Sequence, residues 1–440
     1  MPDFFFFINE VLWGSIMIYL LSGAGIWFTW RSGLIQFRYI RKFGRSLKNS
    51  VTPQPGGLTS FQALCTSLAA RVGSGNLAGV ALAIGAGGPG AVFWMWVTAI
   101  IGMATSFAEC SLAQLYKEKD GKGQFRGGPA WYMARGLGMR WMGVLFSIFL
   151  LIAYGLIFNT VQANSVAHAL RFAFNCPEWL TGGALALLTL LTIVTGLKGV
   201  ARLMQWLVPL MALLWVSTSL MVCAIHIDEV PNVIVTIFQS AFGWREAAAS
   251  WPPHPAAQGI VQMIGVFTDT IVICSASAMI MLLAGAAEQP SGSTAGIHWV
   301  QQALVSLVGG WGAGLVALVV GLFAFSSIAV NYIYAENNLI FLKVDSRLAR
   351  NILRAGVLAM VFVGCLLSMP MIWQIADVIM ALMAITNLTA ILLLSPVVAL
   401  IARDYLRQRK LGVQPVFDAS RYPEIESQIA PGTWDDLPRQ

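Results

Sequence analysis

Charged residues are scarce in this sequence. Asp, Glu, Lys and Arg together make up 11% of the 440 residues, whereas 57% are hydrophobic. A soluble domain of ordinary composition has about 25% charged residues, so this chain has too little polar surface to fold as a soluble globule. Its apolar residues form repeated runs of about 20, the length that crosses a bilayer as an α-helix. The composition therefore predicts an all-α polytopic membrane protein rather than a barrel of alternating strands.

Histidine is also scarce, and the cysteines are unpaired in the sequence. The chain has 4 histidines and 6 cysteines, and no CxxC pair occurs. This pattern argues against a disulfide framework and against a zinc site. The first apolar run is preceded by Asp3 and includes Glu10 near its start, without basic residues before it. We therefore expect a retained transmembrane anchor rather than a cleavable secretory signal.

The net charge of +7 comes from basic residues in short loops beside the apolar runs. Such clusters mark the cytoplasmic side of membrane proteins, and they explain the charge without a nucleic-acid partner. The first cluster lies between Arg31 and Lys48 and the second between Lys117 and Arg140. We expect a protein of the cell membrane, a bacterial inner membrane, with its N-terminus outside and its C-terminus in the cytoplasm.

Counting the crossings exposes an inconsistency in the second half of the chain. Ten apolar runs are visible, and the sixth ends outside at Asp228. Four further runs would leave the basic clusters at 343–354 and 403–410 outside, contrary to the positive-inside rule. One crossing is therefore missing between Glu229 and Gln258, where the stretch from Val230 to Gly243 is too short for an ordinary span.

The second apolar run contains the sequence Gly73-Ser74-Gly75-Asn76 close to Arg71. Irregular backbone at membrane depth is tolerated only where protein or a water-filled cavity satisfies its polar groups, so these residues predict a broken helix at a binding site. The helix beginning near Asn76 would offer N–H groups to a carboxylate, and the helix ending near Arg71 would offer carbonyls to a cation. The alternative is that the glycines only allow close helix packing.

Several long segments of the sequence resemble the alanine/glycine:cation symporter family. The longest runs from Thr59 to Glu109 and includes "ARVGSGNLAGVALAIGAGGPGAVFWMW". It is followed by "GGPAWYMARGLG", residues 127–138, and the resemblance covers nearly the whole chain. Further matching segments are "VQANS" (161–165), "HPAAQGIVQMIGVFTDTIVICSASA" (254–278), "LFAFSSIAVNYIYAENNLIFL" (322–342) and "ADVIMALMAITNLTAILLLS" (376–395).

The resemblance implies a leucine-transporter-like fold, in which one N-terminal helix precedes two inverted five-helix repeats. It also implies import of a small neutral amino acid, alanine or glycine, by symport with Na⁺ or H⁺. Na⁺ would be the coupling ion, and no other cofactor and no enzymatic activity are expected. The implied division is an N-terminal helix with its basic segment (1–50), a first repeat (51–227), a second repeat (228–402) and a polar cytoplasmic tail without helical periodicity (403–440).

The sequence departs from this family between Trp244 and His254, where a segment of about one helix is absent. By fold analogy that segment is the first helix of the second repeat, and it coincides with the missing crossing. The alternative function is therefore a transport-defective deletion variant of such a symporter.

The resemblance and the broken helix together select candidate site residues. The expected substrate-binding residues are Gly73, Ser74, Gly75, Asn76, Gln162 and Trp373. The expected Na⁺ ligands are Ala70, Gly73, Ser326 and Ser327. Simpler roles stay open: Gln162 could join two helices, the serines could bond their own helix backbone, and Trp373 could be an interfacial anchor.

Three acidic residues lie in or near apolar runs, where a charge is costly unless it is paired or wetted. They are Glu109, Asp269 and Glu336. Asp269 could pair with Arg71 or carry a proton, and Glu336 suits a gate or a structural pair. A remote alternative from another class is an intramembrane serine hydrolase with Ser74 as nucleophile and His168 as base.

Overall fold

Helices account for nearly all regular structure in the part of the chain that is described. The computed structural model describes residues 7–39, 58–121, 123–241, 262–285, 296–367, 370–411, 415–431 and 433–434. One two-residue antiparallel pair, β1 (Glu118–Lys119) and β2 (Phe125–Arg126), interrupts the helices.

The helices of the first half are α1 (Phe7–Arg31), α2 (Ile35–Tyr39), α3 (Ser60–Arg71), α4 (Gly75–Gly87), α5 (Gly90–Leu115), α6 (Pro129–Arg135), α7 (Arg140–Phe174), α8 (Glu178–Ile193), α9 (Gly196–Ile225) and α10 (Val230–Ala241).

The helices of the second half are α11 (Gln262–Leu283), α12 (Gly296–Val308), α13 (Trp311–Phe341), α14 (Arg347–Leu366), α15 (Pro370–Leu393), α16 (Ser395–Lys410) and α17 (Pro423–Glu426). A single 3-10 turn, Ala419–Arg421, precedes α17.

Eight helices of the described chain are long and apolar enough to cross a membrane. The bent pair α3 and α4 raises the number to nine when it is counted as one span. The protein is therefore an all-α polytopic membrane protein, which confirms the fold class predicted from composition. Whether the helices form two inverted repeats stays a prediction.

The predicted spans differ from the helices at three places. The fifth apolar run, predicted from Leu180 to Leu197, corresponds to α8, which has only 16 residues. The predicted span from Asp377 to Ala402 is two helices, because α15 ends at Leu393 and α16 begins at Ser395 with a proline in its first turn. The segment expected to hold the missing crossing contains α10, which has 12 residues, while positions 242–261 lie outside the described residues.

The buried apolar side chains form two clusters. The first surrounds α3 and α4 and includes residues of α7, α9, α11 and α13. The second joins α1, α5, α6 and α16, and it reaches the C-terminal residues Phe417, Ile425 and Ile429. The broken helix thus lies inside one packed cluster, and α5 is fixed in the other.

The C-terminal segment differs from the irregular polar tail expected after residue 402. Helix α16 continues to Lys410, and the following chain packs against the end of α5. The Trp434 Nε1–H donates to the Leu115 carbonyl at 3.2 Å, and the Tyr116 hydroxyl donates to Gln428 Oε1 at 2.8 Å. Buried aromatic and aliphatic side chains spaced irregularly produce this docking, so helical periodicity was the wrong signal to look for.

Candidate functional site at the broken helix

The break between α3 and α4 has a defined start and end. Helix α3 begins with a capping box, in which the Thr59 side chain accepts from the Gln62 N–H and the Gln62 side chain accepts from the Thr59 N–H. It ends at Arg71, and α4 starts at Gly75 with its axis turned by 57°. The predicted break is confirmed, and it places the polar groups of residues 72–74 inside the protein.

Two side-chain amides satisfy the free backbone at the break. The Gly73 N–H donates to Asn76 Oδ1 at 3.1 Å, and the Ser74 N–H donates to Gln162 Oε1 at 2.9 Å. A Cβ atom on Gly73 would lie 2.7 Å from Gln162 Nε2, so a larger residue there would have to displace the Gln162 amide. Gln162 is 1% exposed and lies directly against the broken backbone, so it joins α7 to the break. Its expected contact with the substrate stays a prediction.

An opening lies beside these amides. Gly75 is exposed, and a Cβ added to it would meet no atom within 4 Å. Next to it, the Ser74 hydroxyl is buried and has no hydrogen-bond partner among the described residues. A buried hydroxyl without a partner is costly, so this geometry suits a small ligand that brings a polar group.

Buried charges surround the break. Asn76 Nδ2–H donates to Asp269 Oδ1 at 2.6 Å, and this is the partner of Asp269 that the sequence left open. Arg71 forms no ion pair with Asp269 among the described residues, and its Nη1 atom is buried without a hydrogen-bond partner. Its positive charge acts on both Asp269 and Glu109. The positive charge of Arg71 therefore lies in the vicinity of two carboxyl groups, one in α11 and one in α5.

The two neighbouring serines of α13 behave differently. Ser327 Oγ lies 2.8 Å from the Ala69 carbonyl oxygen, 3.2 Å from that of Val72 and 3.0 Å from that of Phe323. Ser326 Oγ instead approaches the Phe323 carbonyl of its own helix and the Met211 sulfur. The expected cation ligands are therefore brought together only in part.

The oxygen cluster at the end of α3 has more acceptors than donors. A hydroxyl donates one hydrogen bond, and three carbonyl oxygens lie around that of Ser327. The contacting carbonyls belong to Ala69 and Val72 rather than to the predicted Ala70 and Gly73. Ala69 and Val72 are three positions apart, as are Ala70 and Gly73, so spacing alone could not have distinguished the two pairs.

Asn387 and Glu336 make their hydrogen bonds away from the break. Asn387 accepts from the Tyr132 hydroxyl and donates to Glu109 Oε1 at 2.9 Å, so it links α5, α6 and α15. Glu336 accepts from the Tyr332 hydroxyl at 3.2 Å, which fits the structural pair that was expected. Trp373 lies within α15 but outside the residues whose side chains the structure describes.

The model of the sodium:alanine symporter family matches residues 1–251 and 246–419 of this chain. The chain belongs to this family. Membership agrees with the resemblance stated from sequence motifs, and it identifies the protein as a multi-pass amino-acid transporter with Na⁺ as a transported partner. The family is one of transporters, so the serine hydrolase alternative is not supported, and Ser74 Oγ has no base as partner in the described chain.

Relatives in the symporter family align over almost their full length. The uncharacterized transporter YaaJ of Escherichia coli is 64% identical, with 100% of each chain covered. The amino-acid carrier protein AlsT of Bacillus subtilis is 42% identical, covering 97% of this chain and 96% of AlsT. The sodium/alanine symporter AgcS of Methanococcus maripaludis is 34% identical, covering 92% of this chain and 97% of AgcS.

The alignment with YaaJ is longer than this symporter chain. It spans 481 positions and includes all 440 residues, so 41 of its positions carry no residue of this chain. The two segments matched by the family model meet at residues 246–251. Both findings agree with the expectation that a segment of about one helix is absent between Trp244 and His254.

Proposed function

We propose that this protein imports a small neutral amino acid, alanine or glycine, together with Na⁺. The observation that supports this most is the opening at Gly75, where the buried Ser74 hydroxyl lacks a partner within the described chain at the start of α4. The positive end of a helix and its N–H groups favour a carboxylate. The amino group of the substrate would then face the carboxyl groups of Asp269 and Glu109.

The cation is proposed to bind where Ser327 meets the end of α3. Na⁺ is a hard cation that prefers oxygen ligands, and the carbonyls of Ala69 and Val72 with the Ser327 hydroxyl supply three. This site is at the end of α3, and the opening at Gly75 is at the start of α4, so the two adjoin the same break. Occupation of one would therefore stabilise the bent arrangement that the other needs.

The test is uptake of radiolabelled alanine into proteoliposomes containing the purified protein. We expect accumulation with an inward Na⁺ gradient and none when choline replaces Na⁺. Equal uptake under an imposed proton gradient without Na⁺ would replace Na⁺ by H⁺ as the coupling ion. Uptake of neither alanine nor glycine under any gradient would reject this proposal.

A transport-defective symporter is the second candidate, and the 41 alignment positions without a residue in this chain favour it. Such a chain would bind alanine in equilibrium experiments but show no exchange of internal for external alanine. A topology measurement separates the two candidates further. Asn351→Cys in a cysteine-free chain should be protected from an impermeant thiol reagent in intact cells if an additional crossing is made before α11. Labelling from outside would mean that the crossing is absent.

A further inference from the structure

A basic cleft lies away from the broken helix, where α7 begins and α13 ends. Its volume is about 390 Å³, within the roughly 300–1,000 Å³ of small-molecule sites. Its walls come from β1, β2, α6, the first residue of α7 and the last turn of α13. The charged residues that line it are Glu118, Lys119, Asp120, Arg126, Arg135, Arg140 and Lys343.

The charges of this cleft do not cancel. Five basic and two acidic residues line it, a sum of +3. The two carboxylates are already engaged within the protein: Asp120 pairs with Arg126 at 3.1 Å, and Glu118 pairs with Arg135. In the described part of the chain, Arg140 and Lys343 form no ion pair, and both are exposed at the cleft. The lining of the cleft therefore carries positive charge that no carboxylate of the lining balances.

The backbone at Lys343 gives an independent indication. Lys343 has φ = 60°, the left-handed conformation that L-residues rarely adopt. The Val344 N–H donates to the Leu339 carbonyl and the Lys343 N–H to the Ile340 carbonyl, a helix end at which glycine is the usual residue. A lysine at this glycine position places its side chain at the cleft in spite of the backbone strain. This indicates that the positive charge of Lys343 has a role in binding a ligand.

The position of the cleft favours a ligand from the membrane surface. Arg140 is the first residue of the apolar helix α7 and Phe341 the last of α13, so the cleft lies at the ends of two membrane-spanning helices. Trp141, next to Arg140, is 66% exposed, as is typical of aromatic residues at the level of the lipid headgroups. Basic pockets at this level bind the phosphates of anionic lipids.

We propose that this cleft binds a phosphate-bearing anion through Arg140 and Lys343, and that an anionic phospholipid headgroup is its source. The planar guanidinium of Arg140 can donate two hydrogen bonds to phosphate oxygens, while Lys343 adds a point charge from the end of α13. The site is separate from the amino-acid and cation sites and does not depend on the proposed function. It would couple the ends of α7 and α13 to the lipid composition of the membrane.

The test uses the purified full-length protein in a neutral detergent. Its melting temperature is measured while phosphatidylglycerol, phosphatidylcholine or inorganic phosphate is added. We expect phosphatidylglycerol to raise it, phosphatidylcholine to have little effect, and the response to weaken with added salt. An increase with inorganic phosphate that phosphatidylglycerol does not match would identify free phosphate as the source of the anion.

Variants make the test specific to the cleft. The double variant Arg140→Gln, Lys343→Gln should need at least tenfold more phosphatidylglycerol for the same increase, whereas Arg202→Gln, which removes an exposed basic residue of α9, should respond like the wild type. Lys343→Gly should melt no lower than the wild type without lipid, because glycine relieves the strain, yet respond less to lipid. Equal responses of the wild type and the double variant, or no response to either anion, would overturn the proposal.

Discussion

The side-chain oxygen of Gln162 lies 2.9 Å from the backbone nitrogen of Ser74, although the two residues are 88 positions apart. The amide oxygen satisfies a backbone donor that the break leaves free, and it joins α7 to the break. The contact therefore holds the break in shape.

Gln162→Ala and Asn76→Ala should each abolish Na⁺-driven alanine uptake without preventing membrane insertion. Either change leaves a buried backbone N–H without its acceptor, a cost of about 1–3 kcal/mol. Uptake in proteoliposomes is the measurement, with protein content as the check on insertion. The exposed Gln302 provides a matched control, and Gln302→Ala should transport normally. Unchanged uptake in the Gln162 or Asn76 variant would refute their assignment to the site.

Gly73→Ala and Gly75→Ala should distinguish a glycine needed for packing within the protein from a glycine needed for contact with the substrate. A methyl group at position 73 would lie 2.7 Å from Gln162 Nε2, so that variant should lose both thermal stability and uptake. A methyl group at position 75 meets no atom within 4 Å, so the protein should keep its melting temperature while the KM for alanine rises. An unaltered KM in the Gly75 variant would place the substrate elsewhere.

Ser327→Ala should raise the Na⁺ concentration needed for half-maximal uptake, because it removes one of three proposed oxygen ligands. Ser326→Ala is the neighbouring control, since Ser326 bonds its own helix and Met211. The measurement is the rate of alanine uptake as a function of Na⁺ at fixed ionic strength. Equal shifts in both variants would indicate a general disturbance of α13 instead of a cation site.

Trp434→Ala should lower the melting temperature and loosen the C-terminal segment. The variant loses the hydrogen bond to the Leu115 carbonyl, worth about 1 kcal/mol, and the ring that lies 4.2 Å from Lys117 Nζ, worth about 0.5–1 kcal/mol. Limited proteolysis between residues 403 and 434 measures the loosening. Trp206→Ala, which changes an exposed tryptophan of α9, should leave the cleavage rate unaltered.

The same segment should become more stable as the pH rises from about 8 to 10.5. Burial, assisted by the charge of Lys119, lowers the pKa of Lys117 from 10.5 to about 8, although the Phe125 and Trp434 rings favour the charged form. Between these values the unfolded chain binds more protons than the folded one, so the free energy of unfolding increases with pH. Below about pH 8 both states are protonated, and the full cost of burying the charge remains.

Melting curves between pH 7 and 10.5 measure this dependence. Lys117→Met keeps most of the side-chain volume without a titrating group, and it should remove the rise in this pH range. A rise of the same size in the variant would show that another group is responsible.

Composition and periodicity predicted the break and most of the spans, because lipid imposes strict demands on apolar length and on backbone hydrogen bonding. They did not predict that α8 is short or that α15 and α16 are separate helices. Glycines at 73 and 75 within an apolar run predicted the bend. The prediction of an irregular polar tail after residue 402 was wrong. The docking of this segment depends on single side chains such as Phe417 and Trp434, which contact residues distant in the sequence and follow no helical period.

Pairings across the fold could not be obtained from the sequence. Asn76 donates a hydrogen bond to Asp269, which is 193 positions away, and the local sequence around neither residue predicts this pairing. The register of α13 against α3 decided whether Ser326 or Ser327 faces the carbonyls, and a rotation by one residue separates the two outcomes. Such choices depend on packing between helices, which the apolar pattern alone leaves undetermined.

The bond from Trp434 to Leu115 sets a time order for biosynthesis. The two residues are separated by 319 positions, and at about 5–20 residues per second the ribosome needs roughly 16–64 s to make the chain between them. During that interval the end of α5 has been made, but the C-terminal segment that packs against it has not yet been synthesised. A chain stopped early would therefore carry inserted helices with an uncovered α5 end, a surface that quality-control proteases could distinguish from the finished protein.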